Sequence, residues 1–161
     1  MVFFDRWLRR LPFSHRSLSL AQATLSKRNG PSWNYTFRLL RRYGLTPKTI
    51  FDVGVARGTP RLYAAFPEAA FHLIDPTRES LPFMQDIAKR YDARVHNVAL
   101  GAKEEELHIT VREGIGASSF FSDVADPTYV KRYEVPVVPF IKLVGEFERP
   151  ALTLIIRVID I

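Results

Sequence analysis

Asp52, Gly54 and Gly58 stand in a short run whose residue types suit nucleotide binding. Positions 51–59 read F-D-V-G-V-A-R-G-T, between a strand-like apolar segment and a helical pattern. Gly54 permits a sharp turn against which a ligand can lie, and Gly58 permits tight packing at the start of the helix. Asp75 follows about 20 residues after the turn, where an acid accepts hydrogen bonds from ribose hydroxyls. We therefore predict a nucleotide-binding face, with backbone amides of the turn directed at the ligand.

The residue at position 56 bears on which nucleotide this turn accepts. A dinucleotide site usually reads G-x-G-x-x-G, and its second glycine lets the pyrophosphate lie against the backbone. Ala56 stands at that position here. S-adenosylmethionine has a sulfonium cation and no phosphate, so a turn with fewer glycines beside an acid such as Asp52 suits it better. The turn therefore favours S-adenosylmethionine over NAD as cofactor.

The segments around the turn alternate strand and helix patterns, as in parallel α/β sheets. Thr59 and Pro60 are suited to open a helix as N-cap and first residue, and Pro67 ends that helix. We predict strands at 49–53, 70–74 and 94–100, with helices at 60–66 and 79–91. The sequence thus predicts the α/β class, with a Rossmann-like parallel sheet flanked by helices.

The pattern changes after Gly101. Leu107, Ile109 and Val111 alternate strictly with polar residues, which is typical of a half-buried hairpin strand. A loop at 114–119, a short helix at 127–133 and an extended piece holding Val135 and Val137 are predicted next. The end of the chain, 151–161, is rich in branched apolar residues and predicts a buried central strand.

The sequence predicts that the first 48 residues form a basic helical segment, distinct from the α/β part at 49–161. They contain ten Lys or Arg and one acid, whereas the remaining residues contain thirteen against sixteen. We predict short helices at 2–11 and 16–27 and a firmer one from the N-cap Ser32 to Tyr43, stopped by Gly44. Such a segment can bind nucleic acid, an anionic membrane surface or an acidic substrate. The simplest interpretation is a solvated face on helices that cap the domain.

Composition excludes several classes of protein. The 161 residues contain no cysteine, which rules out disulfides and thiolate metal sites, and the four histidines show no metal-ligand spacing. No apolar run approaches the roughly 20 residues of a membrane span, and charged residues interrupt the first apolar run where a signal peptide would need none. We expect a cytoplasmic, metal-free protein without a transmembrane segment.

Six short motifs stand in order along the chain: 44–59, Phe66-Pro67, Asp75-Pro76, 97–101, Ser118-Ser119 and 135–137. Together they resemble the FkbM family of methyltransferases, in the family's order and with similar gaps, over about 33–152. The resemblance implies a class I methyltransferase that uses S-adenosylmethionine, usually to methylate a hydroxyl of a sugar or natural product. It also implies that Asp52, Gly54 and Gly58 form the cofactor turn, that Asp75 contacts the ribose, and that Asn97 lies near the adenine.

Two departures from the family pattern matter. The family usually has Asn where Ala56 stands. After Pro150 the family continues with a strand reading roughly L-K-I-D-V-E-G, expected beside the first strand in mid-sheet, and then with further elements. Here Asp160 is out of register with that acid and the chain ends at Ile161. We therefore expect a C-terminally truncated or frameshifted domain, incomplete in its sheet and poorly soluble because an apolar strand is left at an edge.

The sequence gives fewer indications of the residues that bind the methyl acceptor than of those that bind the cofactor. Ser118 and Ser119 are candidates for a substrate or cofactor loop, with a plain turn as the alternative. His72 and His96 lie in predicted strands and are interpreted as structural, so the catalytic base stays unassigned. We expect a small-molecule or glycan acceptor and no nucleic acid. The alternatives are a catalytically inactive remnant or binding module and, less favoured, a nucleic-acid methyltransferase that uses the basic segment.

Overall fold

The computed structural model describes residues 33–120, 129–145 and 153–157. Within these ranges the chain is an α/β protein with two sheets, and none of the described helices has the length and apolar character of a membrane span. The predicted helices at 2–11 and 16–27 and the N-cap Ser32 lie outside the described residues. The helices are α1 (Trp33–Arg42), α2 (Pro60–Ala65), α3 (Leu81–Ala88) and α4 (Phe140–Gly145), with a 3₁₀ turn at Ile115–Ala117.

The first sheet is parallel throughout. It contains β1 (Thr49–Val53), β2 (Ala70–Ile74), β3 (Ala93–His96) and β7 (Thr153–Arg157) in the order β3-β2-β1-β7. The predictions for β1 and β2 are confirmed to the residue. β7 pairs with β1, as the family resemblance implied, and ends the sheet on that side within the described residues.

Helices pack on one face of this sheet and form the main core. Ile50, Phe71 and Leu73 point from the strands toward residues of α1, α2 and α3. Phe37 of α1 meets Phe66 edge-to-face, with ring centroids 6.0 Å apart. Each such buried side chain contributes roughly 1.5–3 kcal/mol. The helical members of this core are Phe37, Leu62, Tyr63, Met84 and Ile87.

The end of α1 shows how the sequence sets a helix boundary. Gly44 has a φ of +83°, the left-handed conformation that glycine adopts without strain. The Leu45 amide donates to the Leu40 carbonyl and the Gly44 amide to the Arg41 carbonyl, which is the Schellman pattern. The predicted stop at Gly44 is confirmed.

The opposite face of the first sheet is aromatic. Phe51 stacks on His72 with ring centroids 4.6 Å apart, and Phe140 of α4 packs edge-to-face on Phe51 at 5.0 Å. His72 Nδ1 and His96 Nε2 lie 3.0 Å apart, so that one ring nitrogen donates to the other. Burial, together with the neighbouring His96 and Arg94, lowers the pKa of His72 to about 4.

The predicted strand at 94–100 is wrong in its extent. The chain forms β3 (Ala93–His96) in the first sheet and then β4 (Ala99–Gly101) in a second sheet. Between them the side-chain amide of Asn97 donates to the carbonyl oxygens of Asp75 and Thr77, at 2.8 and 3.0 Å. These bonds hold the chain beside the end of β2 and allow it to change sheets. The helix predicted at 79–91 is also shorter, because α3 covers Leu81–Ala88.

The second sheet has the order β4-β6-β5. β5 (Glu105–Arg112) is the predicted hairpin strand and runs antiparallel to β6 (Tyr129–Pro139). The helix predicted at 127–133 is wrong over its described part, 129–133, which is strand. Tyr133 pairs with Ile109 in register and packs on the small core of Ile109, Val111 and Val135, so cross-strand contacts override the local pattern.

Candidate functional site

A cleft of about 960 Å³ opens at the carboxyl ends of β1 and β2. One side is made by the glycine turn at 53–59 and by residues 74–77, which follow the two strands directly. The other side is made by 98–100, the loop at 114–120 and Phe140. In open α/β sheets, ligands bind outside the carboxyl ends of the strands where the strand order reverses, and β1 lies at that point here.

The glycine turn has three residues with positive φ. Gly54, Ala56 and Gly58 have φ values of +78°, +47° and +101°. A Cβ built on Gly58 would lie 2.9 Å from Ile87 Cδ1 and 3.5 Å from the Tyr63 ring, so the positive φ favours glycine and a side chain would also have to displace the end of Ile87. Ala56 is a non-glycine residue in the left-handed region, where a side chain costs roughly 1–2 kcal/mol.

Most backbone amides of the turn donate within the protein. Gly54 donates to the Ile74 carbonyl, Ala56 to Asp75 Oδ2, Gly58 to the Val55 carbonyl and Thr59 to the Tyr63 hydroxyl, at 2.6–2.9 Å. Over the described residues, this leaves the Val55 amide and the Arg57 amide of the turn without a protein acceptor. The prediction that backbone amides of the turn face a ligand can therefore hold for the Val55 and Arg57 amides alone. A pyrophosphate cradle normally needs several free amides.

Asp52 lies beneath the turn and does not line the cleft. Its carboxylate is fully buried and accepts hydrogen bonds from the Tyr63 hydroxyl at 2.5 Å and from Thr59 Oγ1 at 3.4 Å. Thr59 holds the N-cap position of α2, yet its side chain makes no capping bond and reaches Asp52 instead. Burial raises the pKa of Asp52, against the opposing effect of the two hydrogen bonds, and also raises that of Tyr63. This network fixes the turn from below.

Asp75 lines the cleft at the end of β2 and holds two loops together. Its Oδ2 accepts from the Ala56 amide at 2.8 Å. Its Oδ1 accepts from the amide and hydroxyl of Thr77, at 2.9 and 2.6 Å. A carboxylate offers about four lone pairs, so one position on Oδ2 stays open to a further donor. Asp75 is 4% exposed, at the edge of the cleft.

The other predicted site residues either line the cleft or hold the residues that line it. Asn97 is not among the cleft-lining residues, and its side-chain amide holds the carbonyls of Asp75 and Thr77. Ser118 and Ser119 do line the cleft. Ser119 exchanges two backbone hydrogen bonds with Thr110 of β5, at 2.8 and 3.0 Å, which attaches this loop to the second sheet.

Two residues that sequence reasoning missed contribute to the cleft or its support. Arg57 is a cationic residue of the lining, and its guanidinium lies 6.0 Å from the centroid of the Phe83 ring. Tyr63 of α2 is the partner of Asp52. Its spacing of eleven residues after Asp52 crosses a turn and a helix, so only the folded chain reveals the contact.

A polar cluster joins the second sheet to the segment after β2. The Tyr133 hydroxyl donates to Glu79 Oε2 at 2.6 Å and accepts from the Arg78 amide at 2.8 Å, while Lys131 pairs with Glu79. Burial and the Glu79 carboxylate raise the pKa of Tyr133 to about 12. Burial disfavours the Glu79 carboxylate, but the hydrogen bonds from Lys131 and Tyr133 outweigh this effect and lower its pKa. The cluster holds the second wall of the cleft against the first.

No protein-family model, curated protein or solved structure matches this chain. The described residues also contain no group of three or more His, Asp or Glu side chains placed to hold a metal ion.

Proposed function

We propose that this chain is a Rossmann-like methyltransferase domain that binds S-adenosylmethionine and transfers its methyl group to a hydroxyl of a sugar or natural product. The observation that carries the proposal is the cleft at the carboxyl ends of β1 and β2, bounded by the glycine turn and by Asp75. The choice of a hydroxyl acceptor rests on the resemblance to the FkbM family.

The cleft suits a nucleoside without phosphates. Four amides of the turn already have protein acceptors, which leaves a poor cradle for a pyrophosphate. The open position on Asp75 Oδ2 can accept a hydrogen bond from a ribose hydroxyl. Arg57 can pair with the carboxylate of the amino-acid part. A volume of about 960 Å³ has room for the donor and part of an acceptor.

The residues of the chain act mainly by positioning. S-adenosylmethionine supplies an electrophilic methyl group on a sulfonium. Asp52, Tyr63 and Thr59 fix the turn, while Asp75 joins it to the end of β2. Ile109, Ile115 and Phe140 give the opposite wall apolar surface that excludes water. Holding donor and acceptor in line between these walls removes much of the entropic barrier to transfer.

Titration calorimetry with S-adenosylmethionine, S-adenosylhomocysteine and NAD tests the proposal. We expect both S-adenosyl compounds to bind and NAD to bind far more weakly. Asp75→Ala should weaken donor binding by about 10- to 150-fold, the equivalent of roughly 1.5–3 kcal/mol for a charge-assisted hydrogen bond. Asp92→Ala removes an exposed acid outside the cleft and should change nothing. Unchanged affinity in Asp75→Ala would remove this residue from the site.

A second candidate function is a binding module that holds the donor without turnover. It is favoured by one observation: among the described cleft-lining residues no histidine, lysine or tyrosine is placed to deprotonate an acceptor. A methyl-transfer assay with labelled donor and hydroxylated sugars separates the two functions. Donor binding with no transfer to any acceptor would support the module.

A further inference from the structure

A second, smaller groove lies between α1 and α2. It encloses about 300 Å³ and has an apolar floor with a cationic rim. The floor is made by Phe37, Ala64 and Ala65, and the rim carries the guanidinium groups of Arg38 and Arg61. Arg41 donates to the Ala65 carbonyl at 2.9 Å, which ties α1 to α2 beside the groove.

The arginines around this groove have no acidic partners within the described residues. Arg38 donates only to the Asn34 carbonyl of its own helix, at 3.3 Å, and neither Arg42 nor Arg61 has an ion pair there. Positions 33–67 contain six Lys or Arg and a single acid, Asp52, which is fully buried. We call the surface formed by Arg38, Arg41, Arg42 and Arg61 the basic face. Its charge is uncompensated over two helices.

The chemistry of this face matches an anionic amphiphile. The guanidinium rim can bind phosphate groups through paired N–H donors. The apolar contact comes from the exposed Trp33 ring beside it. Trp33 stacks on Phe37 with centroids 5.4 Å apart and is 50% exposed, which places an indole ring beside the arginines. Tryptophan is enriched at membrane–water interfaces, and clustered basic residues are attracted to anionic lipid surfaces. The ring in the floor, Phe37, is 2% exposed and offers no face for a nucleic-acid base to stack on.

We propose that the basic face docks this protein on a membrane surface rich in anionic phospholipids. The arginines bind headgroup phosphates, and Trp33 enters the interface. The charge of the first 48 residues, ten Lys or Arg against one acid, adds long-range attraction of the same sign. This docking is independent of the chemistry in the cleft.

Vesicle co-sedimentation of the full chain tests the docking. We expect binding to vesicles of phosphatidylglycerol and phosphatidylcholine, little binding to phosphatidylcholine alone, and release at high salt. Arg38→Gln/Arg61→Gln should lose about 25-fold in affinity, since each basic residue near an anionic surface contributes about fivefold. Arg90→Gln/Arg132→Gln removes the same charge from exposed sites outside this face and is the matched control.

Tryptophan fluorescence locates the contact. Trp7→Phe leaves Trp33 as the single tryptophan, and its emission should shift to the blue on anionic vesicles and be quenched by brominated lipids. Equal losses of vesicle binding in both double variants would overturn the proposal, because only net charge would then matter. An unshifted Trp33 emission on bound vesicles would also overturn it, as would tighter binding to single-stranded or duplex nucleic acid at the same phosphate concentration.

Discussion

The two sheets differ in how much of their surface is buried and in how their strands find partners. In the first sheet, Ile50, Phe51 and Asp52 of β1 are buried in succession, so both faces are covered. In the second sheet, β5 is buried at 109–111 but exposed at 106–108, and its hydrophobic cluster is small, with Ile109, Val111 and Val135 and with Tyr133 packed beside them. The candidate cleft lies where the two sheets meet.

The two sides of the cleft are therefore held to different degrees, firmly on the first sheet and less firmly on the second. The glycine turn, Asp52 and Asp75 are held by the large core and by a network of short hydrogen bonds. The loop with Ser118 and Ser119 depends on β5, and the second sheet is joined to the segment after β2 by the cluster of Tyr133, Glu79 and Arg78. We therefore expect changes on the first side to cost more in stability than comparable changes on the second.

The largest effect is expected from Gly58→Val. Its positive φ and the contact with Ile87 together should cost about 2–6 kcal/mol, from backbone strain and overpacking. Gly44→Val shares the positive φ but has open space and should cost about 1–3 kcal/mol. Gly114→Val, beside the second sheet, has a negative φ and open space, and should change stability by less than about 0.5 kcal/mol. Denaturant unfolding measures the series, and equal costs at 58 and 44 would refute the packing argument.

The second prediction concerns how the stability of the fold depends on pH. The pKa of His72 is about 4 in the folded protein, below its ordinary value of 6.5. Between these pH values the unfolded chain binds a proton that the folded chain does not, so stability falls as pH falls from 6.5 to 4, by about 3 kcal/mol for the full shift. His72→Phe should flatten this dependence. His108→Gln, at an exposed site on β5, should leave it intact, and melting curves across this pH range decide between the two outcomes.

A pair of tyrosine variants compares the two polar networks directly. Tyr63→Phe leaves the buried Asp52 carboxylate with only its long bond to Thr59 and should cost about 1.5–3 kcal/mol. Tyr133→Phe leaves Glu79 paired with Lys131 at a more exposed site, so its cost should stay below about 1 kcal/mol. A reversed order in denaturant unfolding would show that the link between the sheets carries more stability than the support of the turn.

The smallest expected effect is a gain in stability from a substitution at Ala56. Ala56 has a φ of +47°, and asparagine tolerates this conformation better than alanine. Ala56→Asn should therefore stabilise the protein by up to about 1 kcal/mol. Ala117→Asn, in the exposed 3₁₀ turn without positive φ, is the control and should give no gain. A destabilised Ala56→Asn protein would mean that the side chain finds no room beside the turn.

The predictions from sequence succeeded where a signal was local. The apolar runs of β1 and β2, the glycine stop after α1 and the alternation in β5 follow from periodicity and backbone conformation, which need no distant partner. They failed where a distant partner decides the structure. The run at 94–100 has the composition of one strand, but Asn97 binds the carbonyls of Asp75 and Thr77 and the chain changes sheets. Residues 129–133 resemble a helix locally but pair with β5.

The same division holds for the candidate site. The sequence by itself determined the position of the turn, because Gly54 and Gly58 are the residues that adopt positive φ without strain, and it placed Asp75 at the end of β2. Only the tertiary structure decided what those acids do. Asp52 is turned into the core toward Tyr63, whereas Asp75 reaches the cleft edge with one acceptor position open. The reason is physical: a residue's type fixes which hydrogen bonds it can make, but burial and the partners brought together by folding fix which of them it does make.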